Sequence, residues 1–112
     1  MAGILRGDIR WANLDPSIGH EQSGFRPVLI LSADVFNRNS GTVIAVAITG
    51  KKPRAEYPLT LALDNADMPK KSWVKISQIR TLSVERIGER ITTLSEVTIS
   101  QVIEGLNEIL GQ

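Results

Sequence analysis

Up to residue 95, the apolar residues of this chain come in short runs and tight alternations that read mostly as β-strands. The longest unbroken apolar run is Val43-Ile44-Ala45-Val46-Ala47-Ile48. A run of that length suits a strand buried on both faces and falls far short of the roughly 18 residues that span a membrane. Thr42 to Thr49 therefore reads as a central strand rich in β-branched residues. Val28-Leu29-Ile30-Leu31 reads as a second. Asp8 to Leu14 alternates around Ile9 and Trp11 and stops at Asp15-Pro16, as a strand entering a turn does. Leu59, Leu61 and Leu63 alternate with Thr60 and Ala62, which predicts a strand with one buried face. Ser72 to Leu82 reads as a longer strand and Arg90 to Leu94 as a short last one. Ser32 to Asn37, with Ser32 as a cap and Asn39-Ser40-Gly41 as a stop, and Val84 to Gly88 read as helical turns.

The period changes after Ser95. Ile99, Val102, Ile103, Leu106, Ile109 and Leu110 recur at spacings of three and four, which places them on one face of a helix that Ser95 can cap. The expected fold is mainly β with α: a small curled sheet or barrel of five to six mostly antiparallel strands, with short helical inserts and a C-terminal amphipathic helix. It is expected as one domain over residues 1–112. Met1 to Arg6 lacks the apolar stretch of about 7–15 residues that a secretory signal needs. A cytoplasmic location without a membrane is expected.

With no cysteine and one histidine, disulfides, thiolate catalysis and Cys/His zinc sites are excluded. Several short motifs carry nothing. Arg6-Gly7-Asp8 reads as a turn into the first strand. Ser72-Trp73-Val74-Lys75 has the Ser-x-x-Lys spacing of penicillin-recognising enzymes, but that chemistry needs a helix and this segment reads as strand. Asp64 and Asp67 lack a third ligand and read as a solvated loop within the segment before Lys71. No metal and no cofactor are expected.

The loop Gly19-His20-Glu21-Gln22-Ser23-Gly24-Phe25-Arg26-Pro27 stands apart. It holds the single histidine beside a carboxylate, and Arg26 sits where the loop rejoins a central strand. A proton acceptor, a second titratable group and a fixed cation suit metal-free phosphodiester cleavage. The same residues also suit a polar hairpin loop with an arginine–carboxylate fork.

Arg6-Gly7-Asp8-Ile9 leading to Leu14-Asp15-Pro16, then Gly19-His20-Glu21-Gln22, then Arg26-Pro27-Val28-Leu29-Ile30-Leu31, resembles the MazF/PemK toxin endoribonucleases. The resemblance continues through Phe36-Asn37, Ile48-Thr49 and Gln78-Ile79-Arg80-Thr81-Leu82 to the terminal helix. It implies an SH3-like barrel and a homodimer that binds single-stranded RNA in a groove at the dimer interface. It implies metal-independent, sequence-specific cleavage that leaves a 2′,3′-cyclic phosphate and a 5′-hydroxyl. It also implies a cognate antitoxin whose acidic C-terminal segment fills the same groove.

By that resemblance Arg26 and Thr49 match catalytic positions, and Glu21 and His20 match residues implicated in different members. Gln22, Gln78 and Arg80 fall on the motif, Ser77 is expected beside them on the RNA-binding surface, and Lys51, Lys52, Arg54 and Lys75 read either as tracking the RNA backbone or as ordinary solvated loop charge. One departure stands out. The Kid-like branch carries Arg-x-Asp-Gln where this chain has Lys75-Ile76-Ser77-Gln78, so the proposed Asp base is a serine. Glu21 or His20 is left as the base. Arg26 reads as a stabiliser of phosphorane charge, because a guanidinium keeps its proton to a pKa above about 12. Thr49 would hydrogen-bond a phosphate oxygen. Trp11, Phe25, Tyr57 and Trp73 are candidates for base stacking, although Trp11 and Trp73, on strands, read more readily as core.

Two alternatives remain: a CcdB-like gyrase-binding toxin, against which the absence of a Trp after Trp73 argues, and a catalytically weakened SH3-like binding module. The charge pattern fits a few phosphates at one groove. Residues 1–90 carry +4 and residues 91–112 carry −3, so a basic sheet and an acidic helix are hidden in a net charge of +1.

Overall fold

The computed structural model describes residues 3–16, 18–63 and 68–111. Asp64, Asp67 and the start of the loop before Lys71 lie outside the described residues. Among those described, the chain forms β1 (Asp8–Asn13), β2 (Phe25–Ile30), α1 (Asp34–Ser40), β3 (Thr42–Thr49), β4 (Thr60–Leu63), β5 (Ser72–Ser83), β6 (Ile87–Thr93) and α2 (Glu96–Leu110). The strands make a six-stranded sheet in the order β4-β5-β3-β2-β1-β6. Every neighbouring pair is antiparallel. The mainly β architecture with a terminal helix is as expected, and the ladder runs from β4 to β6 as its two edges. None of the described helices is long and apolar enough to cross a membrane.

The sheet has a core on each face, which explains why the central strands are apolar without a break. Leu29, Leu31, Val46 and Ile48 join Ile9, Val74 and Ile76 on one face, where Ile99 and Val102 of α2 close over them. Val28, Ile30, Val43, Ala45 and Ala47 join Ala12, Leu14 and Leu82 on the other. Adjacent residues point to opposite faces of a strand, so a strand between two cores needs apolar side chains at every position. Each fully buried Leu, Ile or Val contributes about 1.5–3 kcal/mol.

Several boundaries differ from the sequence reading, each for a local reason. β2 begins at Phe25, so Arg26 is a strand residue opposite Ala12. Pro27 is tolerated because β2 pairs with β3 only from Val28 to Ile30, and its missing N–H costs no bond on that side. Ser32 caps nothing. Its hydroxyl bonds Asn37 Oδ1 and accepts from the Ile44 amide at 2.9 Å, which ties α1 to β3. Leu59 precedes β4 and is exposed, while Leu61 and Leu63 reach the core. β6 is longer than Arg90 to Leu94, because the helical turn covers only Val84–Arg86. On α2, Ser95 accepts from the Thr98 amide as an N-cap. Ile99 and Val102 are buried, but Ile109 and Leu110 run past the sheet into solvent.

β5 carries the feature that matters most for the site. Ile79 pairs with Val46, yet the next residue of β3, Ala47, pairs with Lys75. Three residues of β5, Ile76, Ser77 and Gln78, thus answer a single step of β3. This wide bulge turns Ile76 into the core and leaves Ser77 exposed. The Ser77 amide donates to the Leu59 carbonyl at 3.3 Å, which pins the bulge to the start of β4.

Candidate functional site

The loop between β1 and β2 is tied at its neck. The Leu14 amide donates to the Gly24 carbonyl at 2.9 Å, and the Gly24 amide donates to Asp15 Oδ1 at 3.0 Å. Gly19 and Gly24 take φ of +62° and +82°, backbone that favours glycine, so the glycines flanking the His-Glu-Gln group make its turns. Beyond the neck, Arg26 Nε donates to the Ser23 carbonyl at 2.9 Å. That bond leaves the two terminal NH2 groups to meet a ligand.

Arg26 opens onto a recess of about 350 Å³ shared with Thr49, Gln22 and Lys75. Lys51, Lys52 and Arg54, from the loop after β3, complete its wall, and among the described residues no carboxylate lines it. Thr49 is the last residue of β3 and nearly buried. Its Oγ1 accepts from the Lys51 amide at 3.2 Å, which keeps its hydroxyl hydrogen free to be donated. Five cations and a hydroxyl converge here, with no carboxylate among the described residues of the lining, which is the chemistry of an anion site.

Glu21, Ser77, Gln78 and Arg80 line a second recess of about 440 Å³. Gln22 links the two. Its Oε1 accepts from Lys75 Nζ at 3.0 Å, and its amide donates to Gln78 Oε1 at 3.2 Å. Glu21 is exposed, and its Oε1 accepts from the Ile18 amide at 2.7 Å. Arg80 donates to the Leu14 carbonyl at 3.4 Å. His20 sits on an exposed turn and lines neither recess. Eleven of the twelve residues singled out in the sequence therefore gather in two adjoining recesses, and His20 stands outside them.

The reading of Trp11 as core is corrected. It is 39% exposed and stacks on Phe25, with ring centroids 5.7 Å apart and planes 9° from parallel. The short β2 ladder leaves that corner of the sheet uncovered. Trp73 is half-buried, with the Lys71 ammonium 5.9 Å from its ring centroid. Tyr57 lies against α2, its hydroxyl 3.5 Å from the Gln101 carbonyl. Desolvation, then the Glu108 and Glu104 carboxylates, push its phenol above the usual range. Sequence reasoning missed the clasp among Gln22, Lys75 and Gln78, because only the β5 bulge brings Gln78 to the loop. Among the described residues, no group of three His, Cys, Asp or Glu could hold a metal ion.

Comparison with known proteins assigns this arrangement to a family. The model of the PemK-like, MazF-like toxins of type II toxin–antitoxin systems matches residues 5–110. The chain belongs to this family. A curated relative, the endoribonuclease MazF of Staphylococcus saprophyticus, is 38% identical over 110 residues, covering 96% of this chain and 92% of the relative. The crystal structure of MazF from Deinococcus radiodurans superposes with a TM-score of 0.88 over all of both chains, at 27% identity. A mycobacterial endoribonuclease in complex with its cognate antitoxin gives a TM-score of 0.79 at 27% identity, covering 96% of this chain and 95% of that one. For this MazF/PemK-family chain, Ser77 falls on the bulge, exposed, at the rim of the second recess. The departure from the Kid-like branch is thus a change of side chain at the recess itself.

Proposed function

We propose that this toxin is an endoribonuclease that cuts single-stranded RNA at a short sequence, without a metal, in the cytoplasm, as a homodimer restrained by an antitoxin with an acidic segment. One observation carries the reading. Arg26, Thr49, Lys51, Lys52, Arg54 and Lys75 line one recess with no carboxylate among its described lining residues, in a chain whose 38% identical relative is named an endoribonuclease. A phosphodiester needs such a recess twice, first to bind as a monoanion and then to carry added charge in the pentacovalent state. The acidic segment of an antitoxin has the charge to compete for the same cations. The mycobacterial endoribonuclease seen with its cognate antitoxin supports a partner of this kind.

In the reaction, the ribose 2′-oxygen attacks the adjacent phosphorus and gives its proton to a base. The bond from phosphorus to the 5′-oxygen breaks, and that oxygen takes a proton from water. The products are a 2′,3′-cyclic phosphate and a 5′-hydroxyl. Arg26 stabilises the phosphorane through its two terminal NH2 groups, and Thr49 donates to a non-bridging oxygen. Glu21 is the better-placed base of the two considered, because it lines a recess beside Gln78 and Arg80 whereas His20 does not. Its Oε2 takes the proton while Oε1 stays with the Ile18 amide.

The test is cleavage of defined RNA oligonucleotides with end-group analysis, in EDTA. The wild-type chain is expected to cut undiminished and to leave cyclic phosphate ends. Arg26→Ala is expected to lower kcat about a hundredfold or more while the dimer stays folded. Glu21→Ala is expected to cost far more activity than His20→Ala. Full activity in Arg26→Ala would remove the central claim, and loss of cleavage on chelation would point to a metal nuclease.

A further inference from the structure

Arg26 also lines a third recess. This one is an apolar trough of about 560 Å³ whose walls include Trp11, Phe25, Pro27, Ile48 and Met68. Strand register explains how one residue reaches both. Trp11 pairs with Pro27 and Asn13 with Phe25, which makes Trp11 and Phe25 diagonal neighbours on one face of the sheet. Arg26, opposite Ala12, belongs to the other face. β3 ends in the same way. Ile48 and Gly50 line the trough, whereas Thr49 and Lys51 line the basic recess. Only the backbone of those two strand ends separates the cavities.

We propose that the Trp11–Phe25 pair is a nucleobase-stacking subsite, which receives the base flanking the phosphate bound at Arg26. This rests on the RNA-cleaving reading above. Both rings are exposed, Phe25 at 66%, and they lie nearly parallel, so the outer face of the pair offers a flat π surface to solvent. Bases stack on such surfaces, and aromatic platforms beside a cationic track are the general device for holding single strands. Among the described residues, the charged ones lining the trough are Arg26 and Lys70, so its rim complements a phosphodiester. Continuity with the basic recess through Arg26 lets one RNA chain use both cavities by turning around the strand ends. An apolar peptide side chain gains most from enclosure on all sides, and a flat pair open on its outer face favours a flat partner. Stacking strength ranks purines above pyrimidines, so the subsite sets a base preference at one position beside the cut.

Two readouts test this. In Trp73→Phe the sole remaining tryptophan is Trp11, and its emission is followed while a 2′-O-methyl RNA oligonucleotide, which cannot be cleaved, is added. Quenching is expected. In the cleavage assay with oligonucleotides varied beside the cut, Trp11→Ala and Phe25→Ala are each expected to raise KM about tenfold or more. Their kcat should stay within about twofold, and the base preference at one flanking position should flatten. Trp11→Phe should restore most of the loss. Phe25→Ala changes a side chain mostly in water, so it keeps the test open if Trp11→Ala folds poorly. Unchanged KM and preference in Phe25→Ala overturn the proposal. So does a variant that loses affinity only for a synthetic acidic peptide carrying leucines, or Trp11 emission that follows protein concentration with no RNA present. If the wild-type chain cuts no RNA and Trp11 is still quenched, the cleavage reading fails and the stacking subsite stands. If it cuts RNA and Trp11 emission does not move, the subsite alone fails.

Discussion

Arg26 differs from Arg6, Arg10 and Arg86 by what its guanidinium leaves open. Arg10 is spent, with Nε 3.1 Å from Asp8 and its terminal groups on the Gly88 and Gly3 carbonyls. Arg6 donates to the Leu31 carbonyl, and Arg86 donates to the carbonyls of Asn13 and Asp15. These are the same residue type in the same sequence, and composition could not sort them. The motif around Arg26 and its place at a strand end made it legible, whereas the structural arginines bond to backbone carbonyls that only the fold brings near. Arg26→Lys tests whether a point charge is enough. Lysine keeps the charge but loses both the planar fork and the tether to Ser23. We expect kcat in single-turnover cleavage to fall at least about tenfold, with thermal stability unchanged because the site is a surface position. Wild-type turnover in Arg26→Lys would mean that the fork geometry has no part in the step.

At the scale of elements, strands and the terminal helix were legible because their periods are written in apolar residues. β3 was read to the residue, and β5 was one residue short. The bulge inside β5 was invisible, since Ile76-Ser77-Gln78 continues an ordinary apolar–polar pattern. Packing on both sides fixes it. A Cβ on Gly105 of α2 would come within 2.8 Å of Ile76 Cδ1 and 3.2 Å of the Pro58 carbonyl, so the helix lies almost on the inward bulge residue. On the other side Gln78 takes the Gln22 amide and holds the loop that carries Glu21. Gln78→Ala removes that acceptor. A single hydrogen bond is worth about 1 kcal/mol, so hydrogen exchange at the Gln22 amide should quicken roughly fivefold. Cleavage should slow while the melting temperature shifts little. Unchanged exchange across residues 18–24 would show that the loop is held by its own neck at Asp15 and Gly24.

For the whole molecule, the sequence told apart a basic front and an acidic terminal helix but not how the cations group. Lys51, Lys52 and Arg54 follow one another closely in the chain, and Lys75 and Arg26 come from two other strands. Their meeting in one recess depends on the β2–β3–β5 order, which residue counting does not reveal. Grouped charge has a thermodynamic signature that scattered charge lacks. Each phosphate neutralised on a single strand contributes about −0.7 to the slope of log K against log salt. With Lys75 already engaged by Gln22, Lys51, Lys52 and Arg54 are the cations to remove without touching Arg26. Replacing those three with glutamine should flatten the slope for a 2′-O-methyl oligonucleotide by roughly 2, measured between low and physiological salt. The same three changes on Arg38, Arg90 and Lys71, which line neither the basic recess nor the trough, should flatten it far less. Equal effects from the two sets would mean that RNA is drawn by the overall charge of the sheet, and that the recess around Arg26 holds no more of the strand than the rest of the surface.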